Sequence, residues 1–202
     1  MRTRSPFSSL NLAFACSSVQ TENSLRDACE WVFNWIMFQK ALRTETILVT
    51  DIDDTLVDRS QNSLPDVVAL IKRVANNGVK VYFVTARMYT ADFEKRTLKN
   101  LTDVGIGSDI VQDRLYMMPP ELYRLGDPMV VAEYKRSIRR SLASKRFLCA
   151  NLGDQMTDFM TSRHCIPTEH VQMMQHWPHP LVFVDPVEKT ACLKVPRPAP
   201  RR

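Results

Sequence analysis

The sequence predicts an α/β protein built on a three-layer, doubly wound parallel sheet, and three observations carry that expectation. Short apolar runs rich in Ile and Val alternate with amphipathic helical stretches, the order expected of strand–helix–strand units. The runs read as strands buried on both faces. Several of them end abruptly in polar or acidic residues, and such sheets bind ligands beyond the carboxyl ends of their strands.

In chain order, Ser24 can cap a helix reaching about residue 40, because Leu25, Ala28, Cys29, Val32, Phe33 and Ile36 recur at helical spacing. Trp31, Trp35 and Phe38 widen its apolar face, which must pack across the sheet or against a partner chain. A strand is expected at 46–50. Pro65 opens the next helix, which carries Val67, Val68, Leu70, Ile71 and Val74 and stops at Asn76-Asn77-Gly78. A strand at 79–84 ends at Thr85, a helix covers about 90–101, and a strand spans 114–118. Pro119-Pro120 then breaks the chain before a loop to Pro128. A helix over about 129–142 carries Lys135. The last strands are expected at 147–152, ending in Gly153-Asp154, and at 181–184.

Composition fits one globular domain over 21–195, with an N-terminal tail (1–20) and a basic, Pro-rich C-terminal tail (196–202) that cannot form a core. The formal charge is +5, but Arg2, Arg4, Lys194, Arg197, Arg201 and Arg202 supply six positive charges at the ends, so the body is nearly neutral. No dedicated nucleic-acid surface is expected. Cys16, Cys29, Cys149, Cys165 and Cys192 form no paired spacing and read as free thiols. His164, His170, His176 and His179 have no zinc-type spacing and read as loop or surface residues. Residues 1–18 imitate a signal peptide only faintly, and no run approaches the roughly 20 apolar residues of a membrane span. An intracellular, cytoplasmic protein without a membrane partner is the expectation.

The chemistry concentrates after Ile47-Leu48-Val49-Thr50, where Asp51, Asp53 and Asp54 follow within four residues. Carboxylates this close repel one another, and a counter-cation such as Mg²⁺ is the natural reason to keep them together. An acidic turn capping a helix is the plainer alternative. The Asp-x-Asp-x-Thr pattern after an apolar strand resembles the first motif of the haloacid dehalogenase (HAD) superfamily of phosphohydrolases. Val84-Thr85-Ala86-Arg87, then Lys135 in Glu133-Tyr134-Lys135-Arg136, then Gly153-Asp154-Gln155-Met156-Thr157-Asp158-Phe159 follow in the matching order. The last form is similar to the acid-phosphatase-like branch of subfamily III, which includes plant acid phosphatases and vegetative storage proteins.

That resemblance implies a Mg²⁺-dependent phosphomonoester hydrolase with the 46–50 strand at the centre of the sheet, flanked by those at 79–84 and 147–152. One helix fills most of the interval after the acidic loop, so no large lid domain fits there, and the resemblance implies a capless or minimally capped member. Such members admit bulky substrates or borrow a partner chain, which makes a homodimer an open alternative. Asp51 would be the nucleophile that carries the phosphoryl group. Asp53 would serve as general acid and base with its backbone carbonyl on the metal; a plain metal ligand or loop cap is its simpler role. Thr85 and Lys135 would bind the substrate phosphate, although a strand-end Thr or a helical Lys is ordinarily structural or solvated. Asp51, Asp53 and Asp154 would hold the metal. Asp158 would either reach it through water or grip Lys135, and Asn151, Gln155, Arg87 and Arg139 are candidates to stand behind these groups. A nucleotidase, a phosphatase of nucleic-acid or protein ends, and a catalytically silent storage or binding relative are the competing functions.

Overall fold

A computed structural model describes residues 20–21, 24–159, 179–185 and 189–196. The first element is a two-residue strand, β1 (Gln20–Thr21), followed by helix α1 (Leu25–Leu42) and strand β2 (Thr46–Thr50). Ser24 caps α1 as expected, its hydroxyl accepting from the Asp27 amide at 3.1 Å. Then come α2 (Pro65–Asn76), β3 (Lys80–Met88), α3 (Ala91–Asp103), the short α4 (Ser108–Val111) and β4 (Leu115–Met118). A turn of helix, α5 (Pro120–Tyr123), precedes α6 (Pro128–Ala143), β5 (Phe147–Gly153), a 3₁₀ turn at Met156–Asp158, β6 (Leu181–Val184) and β7 (Ala191–Lys194).

The strands form one seven-stranded sheet in the order β1-β6-β7-β5-β2-β3-β4. From β7 to β4 every pairing is parallel, with β2 central between β3 and β5. The edge departs from the expected pattern, because β6 runs antiparallel to both β7 and β1. Strand β7 itself was not foreseen: its four residues are too few to show a period, and Lys194 looks like part of a basic tail. Instead Lys194 is buried in the sheet opposite Gly153. Likewise the domain boundary expected after residue 20 cuts β1.

Alternation along the strands sorts the core into two layers. Leu48, Val81, Phe83, Ala150 and Leu193 face α1 and α2, while Ile47, Val49, Tyr82, Val84 and Leu148 face α6. The Trp face of α1 packs on this chain's own sheet, where Trp35 Nε1 donates to Cys149 O at 3.0 Å and Trp31 stacks on Trp35. Strand β3 continues past Thr85 to Met88 by way of an irregularity in its pairing with β4. The segment 51–64 between β2 and α2 is a compact loop closed by short bridges of Val57 to Asp53 and Ser63, with no added domain. Among the described residues no helix is long and apolar enough to cross a membrane. All but the first residue of the tail expected at 196–202, together with Cys16, Cys165, His164, His170 and His176, lie outside the described residues.

Candidate active site

Strands β2, β3 and β5 deliver their last residues to the same edge of the sheet, and three of the predicted carboxylates meet there. Asp51 follows β2 directly and stays in register, its amide donating to Leu152 O of β5 at 3.0 Å. Asp154 follows Gly153 at the end of β5, and the 3₁₀ turn brings Asp158 back toward it. One carboxylate oxygen from each of Asp51, Asp154 and Asp158 lies within 4.8 Å of the others, and all three residues are buried. Helix α6 inserts Lys135 into this cluster. Its ammonium is 3.1 Å from Asp51 Oδ1 and 2.5 Å from Asp158 Oδ1.

This geometry selects among the readings open for Lys135 and Asp158 and adds one for Gly153. Lys135 is not a solvated helix residue but is 2% exposed. Asp158 does grip Lys135, and it also belongs to the carboxylate cluster rather than standing behind it. Gly153 makes room for this turn, since a Cβ there would overlap the Asp158 carboxylate. The 154–158 turn is held further by the Gln155 amide on Asp158 Oδ2 at 3.0 Å and by Asn151 Nδ2 on the Asp158 carbonyl. Arg139, one turn beyond Lys135 on α6, is buried and reaches the Thr157 carbonyl with Nη2 at 3.5 Å.

Burial decides the electrostatics. It pushes the Asp51 carboxyl up to about 8, against the pull of Lys135⁺ and with the neighbouring Asp158 and Asp154 charges adding to the rise. For Lys135 burial works downward, but the Asp158 and Asp51 carboxylates outweigh it and hold the ammonium above its usual range. Burial lowers Arg139 to about 10, with Asp158 opposing.

Asp53 stands apart. Its side chain is about half exposed and turns to Arg87, whose Nη2 lies 2.7 Å from Oδ1 and whose Nε lies 2.9 Å from Oδ2. Thr85 is fully buried on β3 and accepts from the Arg87 amide at 3.2 Å; since Thr50 pairs with Phe83, Thr85 is level with the start of the acidic loop. Asp54, with a positive φ of 53°, is directed to Arg59 instead of the cluster. The Arg87 contacts were the part sequence reasoning left least defined, because their partners Thr97 and Asn100 carry no motif of their own.

The residues fit a hard divalent cation. Three buried carboxylates gathered within 4.8 Å supply only oxygen donors, the set such a cation prefers.

A largely parallel α/β sheet with a carboxylate cluster and an inserted lysine at its carboxyl edge is the arrangement expected of a phosphatase of the haloacid dehalogenase kind. The chain belongs to HAD superfamily subfamily IIIB (acid phosphatase), whose family model matches residues 57–194, and it is accordingly a phosphatase. The match begins just past Asp51 and Asp53. Two solved structures share the fold: the class C acid phosphatase from Bacillus anthracis (TM-score 0.52, 17% identity) and the same enzyme with tungstate bound (TM-score 0.50, 18% identity), each covering 76% of this chain and 72% of that chain. No curated protein matches.

Proposed function

We propose that this phosphatase hydrolyses phosphomonoesters in a Mg²⁺-dependent reaction through a phospho-Asp51 intermediate, with Asp53 as general acid and base. The observation that carries this reading is the buried cluster of Asp51, Asp154 and Asp158 penetrated by Lys135. Asp51, Asp154 and the Asp53 carbonyl would hold the ion, with Asp158 beside it. When bound, the ion neutralises the carboxylates and polarises the phosphoryl oxygens, so that a dianionic substrate can enter.

The chain's own groups then divide the work. An Asp51 carboxylate oxygen attacks phosphorus in line as the bond to the leaving oxygen breaks, and Asp53 gives that oxygen its proton. Asp53 next removes a proton from water, which attacks the same phosphorus, breaks the bond to Asp51 and releases inorganic phosphate. Thr85 donates its hydroxyl to a phosphoryl oxygen, and Lys135 balances the charge that grows there. The tungstate held by one structural relative is a tetrahedral oxyanion like phosphate, which supports a site of this kind.

Hydrolysis of p-nitrophenyl phosphate with Mg²⁺ and with excess chelator tests the proposal. Mg²⁺-dependent release of p-nitrophenol is expected. Full turnover in chelator would remove the metal from the reaction, and no turnover in either condition would leave a catalytically silent relative.

A further inference from the structure

The geometry points to Arg87 as the positioning residue that aims Asp53, with helix α3 as its anchor; this rests on the reading of Asp53 as acid and base given above. Asp53 needs such a residue. It sits on a loop, its carboxylate is about half exposed, and proton transfer demands that one oxygen be directed at the reacting atom in both half-reactions. The guanidinium fixes the plane of that carboxylate with two donors, Nε at 2.9 Å from Oδ2 and Nη2 at 2.7 Å from Oδ1.

The opposite edge of the same guanidinium is fastened to α3. Nη1 donates to Thr97 Oγ1 at 3.1 Å and to Asn100 Oδ1 at 3.0 Å, and Nη2 also lies 3.5 Å from Gln61 Oε1. These contacts occupy Nε and both terminal nitrogens, so Arg87 is built to hold a carboxylate rather than to wait for a phosphate. Helix α3 shows the cost of this arrangement. It buries only Thr97 and Leu101, and Thr97 places a hydroxyl where an apolar side chain would ordinarily pack. A buried hydroxyl is destabilising unless it is bonded, and Arg87 supplies the bond.

The double variant Thr97→Val/Asn100→Leu removes both anchors and keeps Arg87 and Asp53. Its kcat/KM should be measured for p-nitrophenyl phosphate, whose leaving group departs without a proton, and for ethyl phosphate, whose leaving group needs one. Mis-aimed acid catalysis should lower kcat/KM for ethyl phosphate roughly tenfold or more while p-nitrophenyl phosphate changes by less than about threefold, against roughly 10²–10⁴-fold for complete loss of the acid. Arg87→Lys, which keeps a charge but not the two-point grip, should show the same split. Partial unfolding would lower both substrates together, so the ratio is the readout. A ratio equal to wild type in both variants would overturn the assignment of Arg87. Asp53→Asn, measured in parallel, separates the two levels: if it lacks the split, the acid role of Asp53 and this inference fail together. If it shows the split and the α3 variant does not, only the inference fails.

Discussion

Asp51 and Asp53 are two residues apart, yet one is buried against Lys135 and the other leans outward on Arg87, so they should fail differently when neutralised. Asp51→Asn removes the attacking carboxylate. Asp53→Asn keeps it but slows water attack by about 10²–10⁴-fold, so a phosphoenzyme should accumulate from p-nitrophenyl phosphate and Mg²⁺. Intact-mass measurement should find a phosphate adduct in the second variant and none in the first; a labelled Asp51→Asn would place the nucleophile elsewhere. Gly153 makes a separate case. Its Cβ would overlap the Asp158 carboxylate, so Gly153→Ala must displace the residue that grips Lys135, at about 1–3 kcal/mol in stability and with loss of turnover. Wild-type melting and activity in that variant would show the turn to be pliable.

At the scale of elements, α6 acts as the arm that carries charge into the sheet edge. Asp127 caps it, the Met129 amide lying 2.8 Å from Asp127 Oδ1, and buried Tyr134 fixes the same turn that presents Lys135. The resemblance implies only a phosphate-binding role for Lys135, and a residue with that role alone could be removed with the fold intact. Burial revises that expectation, because Lys135→Ala leaves Asp51 and Asp158 facing each other without their cation. Breaking a buried pair in this way costs roughly 3–5 kcal/mol, and losing the charge partner should slow turnover by roughly 10²-fold. Thermal melting beside p-nitrophenyl phosphate kinetics checks both parts, and an unchanged melting temperature would contradict the ion-pair geometry.

For the whole molecule, the site joins the ends of β2 and β5 to α6, so a ligand that binds only the folded arrangement must stabilise all of them at once. Mg²⁺ should therefore stabilise the fold by a free-energy increment set by its concentration over its dissociation constant, about 2.7 kcal/mol at a hundredfold excess, and so raise the melting temperature. Asp154→Asn should abolish most of that increment, since it replaces one of the three clustered carboxylates with a neutral amide. A Mg²⁺ shift that survives Asp154→Asn would locate the ion away from the cluster.

The family resemblance supplied the central place of the 46–50 strand and the candidates Thr85, Lys135, Asp154 and Asp158, while the sequence alone determined the alternation of strands and helices and the acidic loop that carries Asp51 and Asp53. Local signals suffice for these, because β-branched runs, caps and breakers act over a few residues, and the acidic loop stands where a buried strand must end. Tertiary structure decided the rest. Strands β1 and β7 are too short to carry a period and exist through their pairing with β6 and β5. That Lys194 is buried, that Gly153 makes room for Asp158, and that Arg87 ties Asp53 to Thr97 and Asn100 are relations between residues distant in the chain. Burial and pairing of this kind arise only when separate elements pack, and no window along the sequence contains both partners.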